Sequence, residues 1–76
     1  MLSGYVLIQT EVGMASGVEE ALRKVEGITS VDLVTGPYDV IATTRAAGMH
    51  ELGPLMNRIQ SVHGVARTLT CSVMSS

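Results

Sequence analysis

The residues with chemistry to offer are few in this chain, and they gather on one stretch: Val34-Thr35-Gly36-Pro37-Tyr38-Asp39-Val40-Ile41. A β-branched run enters Gly36-Pro37 and another leaves Asp39. That is the sequence form of a β-hairpin whose loop is longer than the tightest two-residue type. Gly36 can take a positive φ, Pro37 pre-sets φ for a turn, and Asp39 can bond its own backbone. Such a loop carries an aromatic ring and a carboxylate at its tip, a pair suited to a small cationic group. Both side chains can equally serve the turn alone, since Asp is common in turns for local reasons.

Elsewhere the chemistry is sparse. Two histidines, His50 and His63, and one cysteine, Cys71, lie far apart in the sequence. No Cys-x-x-Cys or His-x-x-x-His spacing is present, so nothing points to a metal site. Gly13 and Gly17 do not form a phosphate loop, and no local motif sets a nucleophile beside a base. The pattern calls for no cofactor and no catalytic residue.

Bulk properties narrow the class further. With 76 residues the chain makes one small domain, 46% hydrophobic but without Trp or Phe. A domain of this size buries only about 60–65% of the surface its unfolded chain exposes, so its own core is marginal. One cysteine makes no internal bridge, which leaves oligomerisation as the remedy and a reducing compartment as the setting. Met1-Leu2-Ser3 runs straight into a strand-like segment with no basic start and no sustained apolar region. No apolar run approaches the roughly 18 residues of a membrane span. The expectation is a soluble cytoplasmic protein. Five Lys and Arg against seven Asp and Glu give a net charge of −2, with no concentrated basic face for nucleic acid.

The elements that must position the hairpin follow in order. Gly4 to Glu11 reads as a strand, apolar on both faces through Tyr5/Leu7 and Val6/Ile8. Ser16 and Glu19 have capping-box spacing, and Val18, Ala21, Leu22 and Val25 trace an amphipathic helix. Glu19–Arg23 and Glu20–Lys24 are i,i+4 pairs on its wet side, and Gly27 is placed to end it. Strands are expected over Ile28–Thr35 and Tyr38–Arg45, on either side of the Gly-Pro turn. A second helix lies within Met49–Val62; Pro54 requires either a start near Gly48 or a kink. Gly64 ends that helix, Val65–Met74 alternates as a last strand, and a short serine tail follows.

The two halves echo one another. Val25-Glu26-Gly27-Ile28 and Val62-His63-Gly64-Val65, 37 residues apart, each close a helix and open a strand. Two β-α-β halves joined by a central hairpin give β-α-β-β-α-β, the ferredoxin-like α+β plan: a four-stranded antiparallel sheet with two helices on one face. The strands carry apolar side chains on both sides, and a second copy is expected to cover the bare face.

Together with this element order, the hairpin and the closing Gly64-Val65-x-Arg67-Thr68-x-Thr70 resemble the effector-binding (RAM) domain of Lrp/AsnC-family regulators, over nearly the whole chain. The resemblance implies a non-catalytic module of transcriptional regulation that binds a small effector, usually an amino acid, near the hairpin. It also implies sheets paired back to back as dimers of the dimeric α/β barrel type, which assemble further into rings. On that footing Gly36, Pro37, Tyr38 and Asp39 fall on the effector hairpin, and Thr68 and Thr70 on a closing strand that faces the neighbour. The family's DNA-binding helix-turn-helix has no counterpart in the 76 residues, so the expected partners are further copies and full-length Lrp/AsnC relatives, not DNA. Pro37 removes one backbone donor from the loop, and His63 replaces a proline common before Gly-Val. A small dimeric barrel enzyme of the monooxygenase kind and an ACT-like amino-acid sensor share this plan, and fold alone does not separate them.

Overall fold

The computed structural model describes residues 1–74. Its elements are β1 (Leu2–Thr10), α1 (Ala15–Leu22), β2 (Ile28–Leu33), β3 (Val40–Ala46), a short 3₁₀ turn (Met49–Glu51), α2 (Leu52–Gln60) and β4 (Val65–Ser72). The strands form one sheet in the order β2-β3-β1-β4, with every neighbouring pair antiparallel. This is the ferredoxin-like β-α-β-β-α-β arrangement.

β1 sits in the middle and assigns the faces. Residues directly opposite in an antiparallel pair share a face. Val6 lies opposite Ala42 and Thr70, and Ile8 opposite Val40 and Thr68. These belong to the face the helices cover, where Val6, Ile8, Val18, Leu22, Val31, Val40, Ala42, Leu55 and Ile59 form one buried cluster. The opposite parity carries Leu7, in register with both Ile41 and Leu69, and Tyr5 opposite Cys71. Tyr5 and Leu69 are half exposed there, at 47% and 50%. Among the described residues nothing covers this apolar row.

The first helix departs from expectation. It begins at Ala15, so Ser16 falls inside its first turn and no side chain caps it. Val25 lies beyond its end yet still packs against the core. Of the two expected ion pairs only Arg23–Glu19 forms, at 2.8 Å, a contact of about 0.3–0.5 kcal/mol on an exposed helix. Arg23 also donates to the Val31 carbonyl on edge strand β2 at 2.9 Å. A charged side chain bonded to an edge carbonyl obstructs pairing with a foreign strand.

The second helix resolves the proline question in favour of an early start. The 3₁₀ turn begins after Gly48, and Pro54 is the third residue of α2. A missing N–H costs little there, because first-turn amides have no intrahelical acceptor. The Glu51 carboxylate reaches back to accept from the Ala47 N–H at 2.9 Å. β4 ends at Ser72, two residues short of the expected Met74, and the serine tail lies outside the described residues.

The repeated Val-x-Gly-x tetrapeptides are the same turn used twice. Ile28 N–H bonds Val25 C=O and Val65 N–H bonds Val62 C=O. The third residue of each is a glycine with positive φ, 101° at Gly27 and 99° at Gly64, as a type II turn demands. Gly64 is constrained twice over, since a Cβ there would come within 2.9 Å of Met14 Cβ and 3.0 Å of Val18 Cγ2. Gly64→Ala is therefore expected to cost more than the roughly 1–2 kcal/mol of the left-handed conformation alone. Gly17→Ala, in α1 with nothing within 4 Å of the new Cβ, is expected to stabilise by about 0.5–1 kcal/mol. Urea unfolding at fixed protein concentration measures both; a neutral Gly64→Ala would contradict the packing described.

Candidate functional site

The hairpin loop runs from Val34 to Asp39 and is closed by Val34 N–H to Asp39 C=O at 2.9 Å. Tyr38 and Asp39 were expected inside β3; they lie in the loop instead, because regular pairing stops at Leu33↔Val40. The loop is fastened to the end of β1 at three points. Asp39 N–H donates to Ile8 C=O at 2.9 Å. Thr10 N–H donates to Asp39 Oδ2 at 2.8 Å, with the Thr10 hydroxyl at 3.3 Å from the same oxygen. Gln9 Nε2 donates to Pro37 C=O at 2.8 Å.

The Thr10 bond has a simple cause. Thr10 shares the parity of Ile8, so its N–H points toward β3, where the backbone ladder has already ended. The Asp39 carboxylate supplies the acceptor that the next residue of a longer strand would have supplied. Both Thr10 bonds land on Oδ2, and Oδ1 has no hydrogen-bond partner among the described residues. Pro37 contributes a carbonyl to the loop and no donor. Gly36 adopts a φ of 134° and is exposed, and Tyr38 is half-buried beside it.

Thr68 and Thr70 fall elsewhere. Register sets them opposite Ile8 and Val6, on the helix-covered side of the sheet. Gln60 Nε2 donates to the Thr68 hydroxyl at 3.3 Å, and the Thr70 hydroxyl donates to Met56 Sδ at 3.2 Å. Within the chain their hydroxyls meet α2, on the face of the sheet opposite the apolar row. The six expected site residues thus divide into four on the hairpin and two beside α2.

Two residues that fasten the hairpin escaped the sequence reading: Gln9 and Thr10. Gln9 lies opposite Arg67, just before the register shift that sets Thr10 against Val65. The available signal was that Gln9 and Arg67 interrupt the apolar parity set by Leu7 and Leu69.

A concavity lies at the other end of the sheet. It measures about 680 Å³ and is lined by Glu26, Arg45, His50, Glu51, Pro54 and Arg58, among others. Size alone does not make it the site. Its Glu51 carboxylate is occupied by Ala47 N–H, and Arg58 leans on the Glu26 carbonyl at 3.4 Å. The hairpin instead presents a carboxylate oxygen without a partner. Among the described residues no three His, Cys, Asp or Glu side chains converge on a metal position, and no helix is long and apolar enough to cross a membrane.

The comparisons bear on the family and the fold. The family model for the Lrp/AsnC ligand binding domain matches residues 3–76. An uncharacterised helix-turn-helix-type transcriptional regulator of Pyrococcus furiosus is 32% identical over 54 residues, which cover 70% of this chain and 36% of that protein. The chain thus spans little more than a third of the curated relative it matches. A crystal structure of a Thermus thermophilus protein superposes with a TM-score of 0.93 at 31% identity, covering 100% of this chain and 96% of the other. A Neisseria meningitidis transcriptional regulator in complex with L-Met superposes with a TM-score of 0.87 at 18% identity, covering 99% of this chain and 51% of that one. With the family match running from the start of β1 past the end of β4, on the sheet order already described, this chain belongs to the Lrp/AsnC family of ligand-binding domains.

Proposed function

We propose that this chain is a non-catalytic effector-binding and oligomerisation module that serves transcriptional regulation in the cytoplasm and takes an amino acid at its hairpin. The observation that carries the reading is the Asp39 carboxylate, fixed through Oδ2 by Thr10 with Oδ1 left without a partner among the described residues. An α-ammonium group donating to a prepositioned carboxylate makes a charge-assisted hydrogen bond, stronger than a neutral one. Backbone amides near Gly36 would take part of the carboxylate. The likeness to the Neisseria meningitidis regulator bound to L-Met supports an amino acid as the ligand class.

The apolar row Ile41–Leu7–Leu69, with Tyr5 beside it, supports a homodimer formed face to face through the sheets, with further association into a ring. Full-length Lrp/AsnC relatives present a matching sheet and are the natural hetero-partners. The acidic balance of the chain supports an indirect role in transcription, through such co-assembly.

Three outcomes check the proposal. Leu7→Asp sets a charge on the open face and is expected to give a folded monomer by light scattering. Ile8→Asp buries that charge in the core, where Ile8 is wholly inaccessible, and is expected to unfold the chain. A stable wild-type monomer at micromolar concentration would remove the dimer. For the ligand, a thermal-shift screen of the twenty amino acids followed by calorimetry is expected to give a hit of micromolar affinity or weaker. Asp39→Asn, whose amide oxygen can still accept from Thr10, is expected to stay folded and lose about 1.5–3 kcal/mol of binding, roughly ten- to a hundredfold. Equal affinity in both proteins would take Asp39 out of the site. Finally, the purified chain is expected to give no sequence-dependent gel shift with duplex DNA at physiological salt.

A further inference from the structure

We infer that the cleft at the far end of the sheet is a second ligand site, for a small zwitterion with an apolar body. The ammonium of that ligand lies on Glu51 and its carboxylate on Arg58. The site shares no residue with the hairpin and does not depend on the reading of Asp39.

Glu51, Pro54, Leu55 and Arg58 all line the cleft, and they fall at i, i+3, i+4 and i+7. That spacing sets them on one face of a helix. Glu51 caps α2 and the other three lie inside it. An acid and a base therefore stand two turns apart, roughly 10 Å along the axis at about 1.5 Å per residue. A proline ring and a leucine side chain lie between them. At that separation the two charges are beyond the i,i+4 reach of a helical ion pair, and none joins them among the described residues. A zwitterion has the matching order of charge, apolar body and opposite charge. The guanidinium fork matches its carboxylate with two parallel N–H···O bonds.

The bonds that engage the charged groups of the cleft also fix them in place. Glu51 Oε1 accepts the Ala47 N–H at 2.9 Å, the amide just past the end of β3. Asp39 finishes β1 in the same way through Thr10, so one device closes both ends of the sheet. Glu51 Oε2 stands 4.0 Å from His50 Nε2, beyond hydrogen-bond distance, and is open to an incoming donor. Arg58 commits one amino group to the Glu26 carbonyl at 3.4 Å, which steadies the guanidinium and leaves its other N–H groups. On the opposite wall, Arg45 N–H bonds Gly27 C=O at 2.8 Å. Gly27 in turn rests on Leu55, where a Cβ would lie 3.2 Å from Leu55 Cδ1. The cleft is thus framed before a ligand arrives, which lowers the ordering cost of binding. Its volume of about 680 Å³ falls within the roughly 300–1,000 Å³ of small-molecule pockets.

The test is calorimetry on the intact chain carrying Asp39→Asn, which weakens the hairpin and leaves the cleft as it is. The probes are the twenty L-amino acids and L-leucyl-L-leucine, so that a free amino acid and a dipeptide are told apart. At least one of them is expected to bind. Adding Arg58→Gln is expected to weaken that binding at least tenfold. Adding Glu51→Gln, whose amide oxygen can still accept from Ala47, is expected to do the same with the cleft intact. The N-acetyl amide of the tightest binder keeps the apolar body, lacks both charges and is expected not to bind. Failure of every probe to bind the Asp39→Asn protein overturns the second site. So does unchanged affinity on adding Arg58→Gln, or a capped compound held as tightly as the zwitterion. Binding that Asp39→Asn abolishes and Arg58→Gln in the wild-type background spares belongs to the hairpin, and it sinks the cleft alone.

Discussion

The alternation of β1, pinned on both edges by antiparallel partners, is the constraint on which the rest of the structure depends. Side chains along a strand point to opposite faces in turn, and a one-residue slip would reverse every assignment. With Val6 and Ile8 inward, the two helices have a surface to cover, and Ala42, Val40 and Val31 complete it. With Tyr5 and Leu7 outward, an apolar row is left on the far side. The same parity carries Gln9 to the open face and aims the Thr10 amide at the end of β3.

The hairpin is an extension of that strand, not an independent loop. Its three anchors all end on Ile8, Gln9 or Thr10. Asp39 is the pivotal member, because one carboxylate oxygen finishes the β1–β3 ladder while the other is left over. A turn residue and a binding residue are usually alternatives. Here the carboxylate has two oxygens, so bonding Thr10 through Oδ2 leaves Oδ1 for the ligand proposed above. Holding a charged group in place before a ligand arrives reduces the ordering cost of binding.

Small size explains the open face. Nine residues make up the buried cluster, and they are aliphatic without a Phe or Trp among them. A core of that composition is thin for a domain of 76 residues. In the proposed homodimer, folding and association through the row of Leu7, Ile41 and Leu69 would be coupled. Arg23 bonded to the edge of β2 opposes strand addition on that side.

What was legible in the sequence is what short-range patterns encode. Alternation located the strands, the Val18–Leu22 spacing located α1, and the Val-x-Gly-x repeat announced two identical turns whose glycines need positive φ. Pro54 marked the first turn of α2 for a covalent reason. The boundaries moved where tertiary contacts outweighed local preference: Val25, read as the last helical contact, lies in the turn that Gly27 imposes, and Ser16 is inside the helix it was expected to cap. The faces of Thr68 and Thr70 and the bonds that fasten Asp39 to Thr10 were decided only by the fold. Each depends on which residue of β1 stands opposite which residue of β3 or β4. Those partners are some 30 to 70 positions apart in the sequence, and their register is set by the shared core and by the irregularity at Gln9/Thr10, which no local window of sequence contains.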